Sequence, residues 1–408
     1  MPSFLTWGLL LTTVLAGVAW GAIARFHQTL QASLDAAPQL SPLGTPPPDL
    51  PTLSVIIPAY NEAENLQACV EAVLASELPN PQSLQVWIAD DESTDATGYI
   101  AQTLAAKDSR VRALSVPPRP PDQLWRGKNW ACTQAAAQAT GTYLLFIDAD
   151  VRLQPGAIAA ALCEAETQQT DLLSCVPAVE CGCLAEWLVQ PLIFMLIAAS
   201  FNFAAVNDPT QATAFAAGPF MLFRRDTYET LGGHRAVAAN LVEDVGLARR
   251  VKHKGFKLRF ILGLEVIQVR MYRSFAALWE GWTKNLYEGS ERNLWSTLWV
   301  ASIMVMVFTL PWGCALLSGL LGGAMVLNPE AYSPAQGILL LLNVIVVGGA
   351  IASQYQLRHL AAHRLGPPLR YSGLTGLGGL LMAAIAIASI IKTETGWGWT
   401  WRGRSLKA

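Results

Sequence analysis

Three polar clusters hold the residues best suited to chemistry: Pro58-Ala-Tyr60-Asn-Glu62, Asp90-Asp91-Glu92-Ser93-Thr94-Asp95 and Asp148-Ala149-Asp150. One such cluster is ordinarily a helix cap, but three in register ask for a shared ligand. A nucleotide sugar would give each a task. Asp90 or Asp91 can accept the imide N–H of a uracil-like base. Asp148 and Asp150, one residue apart, can hold a hard divalent cation and reach a ribose. Such a cation bridges a diphosphate and stabilises charge on the leaving group. Lys128, in Arg126-Gly-Lys-Asn-Trp130, opens a helix, and its ammonium and the helix N-terminus both favour anions. A solvated surface lysine is the plainer alternative. Asp95 and Thr97 read as braces for the helix that follows.

The elements that must carry these clusters alternate. Residues 53–57 form a short β-branched run closed by Pro58, a buried parallel strand. Asn61 is placed to cap a helix running to about Ser76. Strands are expected at 84–89, 111–116 and 143–147, with helices at 96–106 and 129–139. That order argues for an α/β sheet with crossover connections. Ligands of such sheets gather beyond the carboxyl ends of the strands, where all three clusters fall. Further on, a strand-like run over 216–225 precedes Asp226, which is placed to cap a helix over 227–231 stopped by Gly232-Gly233. Glu243 and Asp244 then open an amphipathic helix, where acids complement the dipole.

PAYNE at 58–62, DDESTDATG at 90–98, GKNWA at 127–131 and DAD at 148–150 together resemble the signature set of family 2 glycosyltransferases, over about residues 52–290. The resemblance implies a GT-A fold: a nucleotide-binding α/β half with a DxD metal motif, then an acceptor half. It implies Mg²⁺ or Mn²⁺ on Asp148 and Asp150. It places Pro58, Tyr60, Glu62, Asp90, Asp91, Lys128 and Asp148 around a nucleotide sugar, a UDP-sugar by preference. It makes the Glu243–Asp244 pair the source of the general base, a carboxylate that strips a proton from an acceptor hydroxyl. Processive members carry [QR]xxRW; here Arg270-Met-Tyr-Arg273-Ser274 keeps both arginines, which can bind diphosphate, and has Ser in place of Trp. That departure points away from polymer synthesis. RMYRS, LWEGWTKN and the Trp-rich tail also resemble the carotenoid- and hopanoid-associated branch.

Composition places this module at a membrane. Of 408 residues, 52% are hydrophobic and only 14% charged, against about 25% charged in soluble domains; mean hydropathy is +0.33. The net charge of −2 gives no basic footprint for nucleic acid. Stretches 4–24, 295–327, 335–357 and 371–391 lack charged side chains and are long enough to span a bilayer. Arg25 follows the first, which favours an uncleaved anchor with the rest of the chain in the cytoplasm. Run 188–206, with Gln190, Pro191 and Asn202, reads as an interfacial or core helix, with a span as the alternative. The seven cysteines form no disulfide framework or zinc pattern and read as packed thiols. Phe275, Trp279 and Trp282 give 274–287 an aromatic face suited to the interface plane and to meeting a lipid acceptor.

The expected organisation is an anchor at 1–25, a Pro-rich linker at 26–51, a GT-A domain at 52–290 and a membrane region of about three spans with a basic tail at 291–408. One difficulty stands: three spans after a cytoplasmic domain carry the tail outside, although it is basic. A hairpin at Pro311, or re-entry of 371–391, would bring it back. The expected activity is inverting, non-processive transfer of one sugar to a hydroxyl of a membrane lipid, a carotenoid or other isoprenoid first, at a bacterial plasma membrane. A ceramide- or diacylglycerol-like acceptor, a processive synthase and a non-catalytic scaffold are the alternatives.

Overall fold

The computed structural model describes residues 2–76, 78–367, 369–397, 399–401 and 404–406; the tail cations Arg402 and Lys407 lie outside the described residues. Ten strands build the domain: β1 Leu53–Ala59, β2 Leu84–Asp90, β3 Val111–Ser115, β4 Tyr143–Phe146, β5 Val151–Leu153, β6 Leu172–Val176, β7 Ala178–Val179, β8 Met221–Arg224, β9 Leu258–Leu262 and β10 Ile267–Val269. The helices are α1 Pro2–Asp35, α2 Leu66–Ala75, α3 Thr97–Lys107, α4 Gly127–Gln138, α5 Ala157–Thr167, α6 Leu184–Ser200, α7 Phe203–Asn207, α8 Arg225–Thr230, α9 Glu243–His253, α10 Phe275–Gly289, α11 Leu294–Met304, α12 Leu310–Leu327, α13 Pro334–Leu365 and α14 Thr375–Glu394.

The main sheet runs β3-β2-β1-β4-β8-β6-β9. β1 lies parallel to β2 and β4, with Ala59 opposite Asp90, so the first two polar clusters leave the sheet side by side. β8 is antiparallel to both β4 and β6, which makes the sheet mixed. Directly after Asp150 the chain enters a small second sheet, β5-β10-β7. The linker is pinned to the sheet edge, where Leu40 N–H donates to Leu262 O and Leu262 N–H to Pro38 O, both at 2.8 Å.

Two expected caps are placed differently. Asn61 does not begin a helix: it takes a left-handed φ of 53°, and its Oδ1 accepts the Thr94 N–H at 2.8 Å. The helix starts at Leu66 after Asn65. Asp226 lies inside the first turn of α8 rather than before it. In both cases a tertiary or neighbouring partner outcompetes the local cap.

Helices Phe4–Asp35, Leu294–Leu327, Pro334–Leu365 and Ser372–Glu394 are long and apolar enough to cross a membrane. α1 continues past residue 25, and its last turns, with Leu30 and Leu34, enter the domain core. No hairpin forms at Pro311. The helix continues through a π-helical stretch, Val305–Thr309, because the missing proline N–H is compensated. Gln354 Nε2 donates to the Val307 and Phe308 carbonyls, and Trp312 Nε1 donates to Gln354 Oε1 at 2.8 Å.

The far ends of α1 and α12 meet through Leu5, Leu9, Leu321 and Met325. α13 starts at that level, with Gln336 on Thr6, and returns to the domain side, where Arg364 pairs with Asp35 at 2.6 Å. α14 runs antiparallel to α11: the Gly376 carbonyl accepts from Thr309, and Ala386 packs by Ala301. It ends with Glu394 accepting from the Tyr287 hydroxyl at 2.7 Å. Its end therefore lies beside the domain. α6, 17 residues long and carrying Pro191, is shorter than a span. All seven cysteines are free.

Candidate active site

One cavity of about 520 Å³ lies beyond the ends of β1, β2 and β4. Pro58, Tyr60, Glu62, Asp91, Lys128, Asp148, Asp150, Glu243 and Asp244 all line it. The loops that carry them brace one another. Asn61 N–H donates to Ser93 Oγ at 3.0 Å and Glu62 N–H to Thr97 Oγ1 at 2.7 Å. Asp95 accepts from Thr97 and from the Ala63 N–H, and these hydrogen bonds, working against burial, hold its carboxyl below the usual range. Asp95 and Thr97 thus brace, as their spacing suggested.

The Asp90/Asp91 alternative separates clearly. Asp91 is buried on the cavity wall. Asp90 turns away: its Oδ1 accepts the Ser93 N–H at 3.1 Å, and a Cβ on Gly98 would stand 2.9 Å from its Oδ2. Asp90 is therefore a loop brace here, a correction to its expected place at the nucleotide.

Lys128 is the hub. Its Nζ stands 2.6 Å from Asp148 Oδ1 and 2.7 Å from Glu243 Oε1, joining the first half of the domain to the second. Burial opposes its charge, yet those two carboxylates hold its ammonium well above the ordinary lysine value. Helix α4 also fixes the segment before the acidic pair: Asn129 Nδ2 donates to the carbonyls of Val237, Ala238 and Asn240, and Arg126 Nε to that of Ala239. Asp244 Oδ2 accepts the Gly218 N–H and Oδ1 the Val245 N–H, both at 2.8 Å. Burial, then the adjacent Glu243 charge, pushes the Asp244 carboxyl up to about 7, against the pull of Lys128. A carboxyl so poised suits proton abstraction near neutrality. Gly218 is closely approached: a Cβ there would meet Asp244 Oδ2 at 3.0 Å and Lys128 Nζ at 3.3 Å, so both would have to give by a few tenths of an ångström.

Asp148 and Asp150 flank buried Ala149 and present hard oxygen donors to one cavity. Among the described residues no group of three or more His, Cys, Asp or Glu side chains is placed to hold a metal. This donor pair fits a divalent cation whose shell is completed by phosphate oxygens and water, the usual arrangement for Mg²⁺.

Residues 54–232 match the family model for glycosyl transferase family 2. This stretch is a family 2 glycosyltransferase domain. With the mixed sheet, the match bears out the α/β GT-A fold expected from the motifs. Glu243 and Asp244 lie just beyond the matched stretch. The 4,4'-diaponeurosporenoate glycosyltransferase of Staphylococcus aureus strain MRSA252 is 27% identical over 241 residues, 58% of this chain and 61% of that protein. That of strain USA300 is 26% identical over the same shares. The matched region thus spans 61% of the length of these relatives. Among solved structures, a mannosyltransferase from Pyrobaculum calidifontis in complex with GDP-Man and Mn²⁺ is similar over 96% of this chain and 99% of its own, at 18% identity and a TM-score of 0.48. Glucosyl-3-phosphoglycerate synthase from Mycobacterium tuberculosis, in complex with Mn²⁺, UDP and phosphoglyceric acid, is similar over 59% of this chain and 78% of its own, at 18% identity and a TM-score of 0.41.

The two motif arginines do not line the family 2 domain's main cavity. Arg270 lies 3.4 Å from Glu186, which is fully buried and accepts the Gly182 and Cys183 N–H groups. A buried carboxylate requires a cation, and Arg270 supplies it. Arg273 Nη2 donates to Asn65 Oδ1 at 3.0 Å. Both face a smaller cavity of about 250 Å³ that also touches Asp150. Ser274, which stands where processive members have Trp, is the N-cap of α10 and accepts the Ala277 N–H at 3.2 Å.

Of the expected aromatic surface, only Trp282 lines the cavity, buried and donating to Gln190 Oε1 at 2.9 Å. Phe275 and Trp279 pack against each other outside it, their rings 5.8 Å apart and tilted by 40°. The cavity instead continues into an apolar arm between α6, α10, α11 and α14, with Phe194, Phe201, Leu286, Val300 and Ala386. Lys284 also lines it, its ammonium pushed down by burial while the Glu243 carboxylate opposes. The two-residue offset of Lys284 from Trp282 carries no sequence signal for the cavity.

Proposed function

We propose that the chain transfers one sugar from a nucleotide sugar, a UDP-sugar by preference, to a hydroxyl of a membrane lipid, with inversion. The observation that carries this is the continuity of one cavity: carboxylates and Lys128 at the sheet end, and an apolar arm reaching between the helices at the other. The acceptor oxygen bonds to the anomeric carbon as Asp244 takes its proton. The bond from that carbon to the diphosphate oxygen breaks, and its electron pair leaves with the nucleoside diphosphate. A divalent cation held by Asp148 and Asp150 supplies charge stabilisation to the diphosphate when bound. Lys128 positions Asp148 and Glu243, and Asp91 faces the base. Asp244 has two backbone N–H partners that hold its carboxylate in place.

An isoprenoid acceptor is supported by the apolar arm and by the relatives named diaponeurosporenoate glycosyltransferases. A catalytic domain on the cytoplasmic face is supported by Arg25, Arg364 and Arg370 at the domain-side ends of the helices, against Glu330 alone at the far turn between α12 and α13. Because α14 runs back along α11, Lys392 stays on that same side, within reach of Thr283. The test is transfer of labelled sugar by the full chain in lipid nanodiscs, with the anomeric configuration of the product read by NMR. Retained configuration would overturn the single displacement. Absence of both transfer and donor hydrolysis would favour the scaffold.

A further inference from the structure

Of the expected meeting surface for the acceptor, Trp282 lines the cavity while Phe275 and Trp279 lie outside it, so the opening is set by the cavity's own exposed lining. Among the residues lining the cavity, the exposed ones are Ser200, Asn240 and Ser296. Ser200 ends α6, Asn240 precedes α9, and Ser296 stands in the first turn of α11 just past α10, where the apolar residues Leu286 and Val300 also line the cavity. Val300, one turn beyond Ser296, lines the arm behind the opening. On the outer side of the same turns stand Trp295 and Trp299, 80% and 65% exposed. They are four residues apart, on one helix face, at the level where the Leu294–Leu327 apolar helix begins.

The rim is built firmly. Glu291 and Arg292 both adopt left-handed φ, 57° and 56°, at the turn from α10 to α11. Arg249 holds Glu291 at 2.5 Å, Glu288 holds Arg292 at 2.8 Å, and the Ser290 and Thr297 hydroxyls lie 2.8 Å apart. Two successive non-glycine residues in that region persist only where the surroundings impose them.

We infer that this mouth, at the junction of α10 and α11, is the lateral portal through which a lipid acceptor with a single apolar chain enters from the bilayer, and that Trp295 and Trp299 hold it at headgroup level. Exposed tryptophan favours that depth because its ring is amphipathic. The chain lies along Val300 and Leu286, and its oxygen-bearing end points toward Asp244. This rests on the transferase reading for the identity of that end, but the portal can be tested without turnover.

The probe is farnesol bearing a diazirine, irradiated with the full chain in nanodiscs and mapped by mass spectrometry. Labelling is expected on the wall formed by Leu286 and Val300. Ser296→Trp, which fills the mouth, should cut that labelling by about tenfold or more, the scale at which an apolar pocket rejects a misfit. Trp295→Ser with Trp299→Ser should lower labelling in nanodiscs but not in detergent, where no headgroup level exists. That second variant keeps the test open should Ser296→Trp lower the melting temperature. Labelling centred on Phe275 and Trp279, or unchanged by both variants, overturns the portal and leaves the transferase reading standing. A labelled, Trp-dependent portal in a protein that neither transfers nor hydrolyses donor would overturn the transferase reading instead.

Discussion

Asp244→Asn tests the chemistry most directly. The carboxyl is raised to about 7 by burial and by Glu243, so it is half ionised near neutrality and must be ionised to accept a proton. kcat/KM for transfer should therefore rise with pH through about 7, and Asn should lower kcat by about 10²–10⁴-fold, the usual contribution of a general base. The substitution is not neutral in structure. Both Asp244 oxygens accept backbone N–H groups at 2.8 Å, so an amide sets one NH₂ against a donor and costs about 1–3 kcal/mol. Melting temperature must accompany the kinetics. The pH profile supplies the independent sign. Glu243→Gln removes the charge that raises Asp244 and should move the limb to lower pH; Lys128→Met removes the charge that lowers it and should move the limb higher. The assay is initial-rate transfer of labelled sugar from about pH 5 to 9, bracketing the ordinary tuning range of catalytic acids. A flat profile, or shifts in the same direction for both variants, would refute the assignment of Asp244 as the base. The linked effect on stability runs the other way. A buried carboxyl with a raised folded-state value stabilises fully below about pH 4, and its contribution is lost as pH rises toward 7, a slope that Asp244→Asn should remove.

Excess EDTA should abolish transfer, as should Asp150→Ala, with nucleotide-dependent thermal shift as the companion measurement; full activity in chelator would remove the cation from Asp148 and Asp150. Mass spectrometry of products over time should show one sugar per acceptor, because Ser274 caps a helix where processive members place Trp; a ladder would contradict that. Gln354→Leu leaves the Val307 and Phe308 carbonyls without their donor beside Pro311 and should destabilise the helix bundle by about 1–2 kcal/mol, read as a lower melting temperature in detergent with donor binding intact. Gly218→Ala should raise KM or lower kcat by crowding Asp244 and Lys128, and wild-type kinetics would show that the loop yields freely.

Local pattern made the first half of the domain legible. Strand β1 announces itself through β-branched residues closed by Pro58, and acids placed at strand ends fall on one cavity because parallel strands share a carboxyl edge. The pairing of motif clusters across that edge requires only that the sheet be parallel, which alternation of strands and helices implies. Long-range contact decided the rest. Nothing local tells that Arg270 answers Glu186, 84 positions earlier, or that Asn61 turns left-handed to serve Thr94 rather than a helix. The aromatic period of α10 marks a buried face but cannot say that only Trp282 reaches the cavity. Hydropathy finds α14 long enough to span, yet whether it spans depends on what it lies beside. Its small residues meet α11 and its last turn reaches Tyr287, so it ends beside the domain. A hydropathy count measures transfer into an apolar medium, and the flank of a protein and the interior of a bilayer are both such media; only packing distinguishes them.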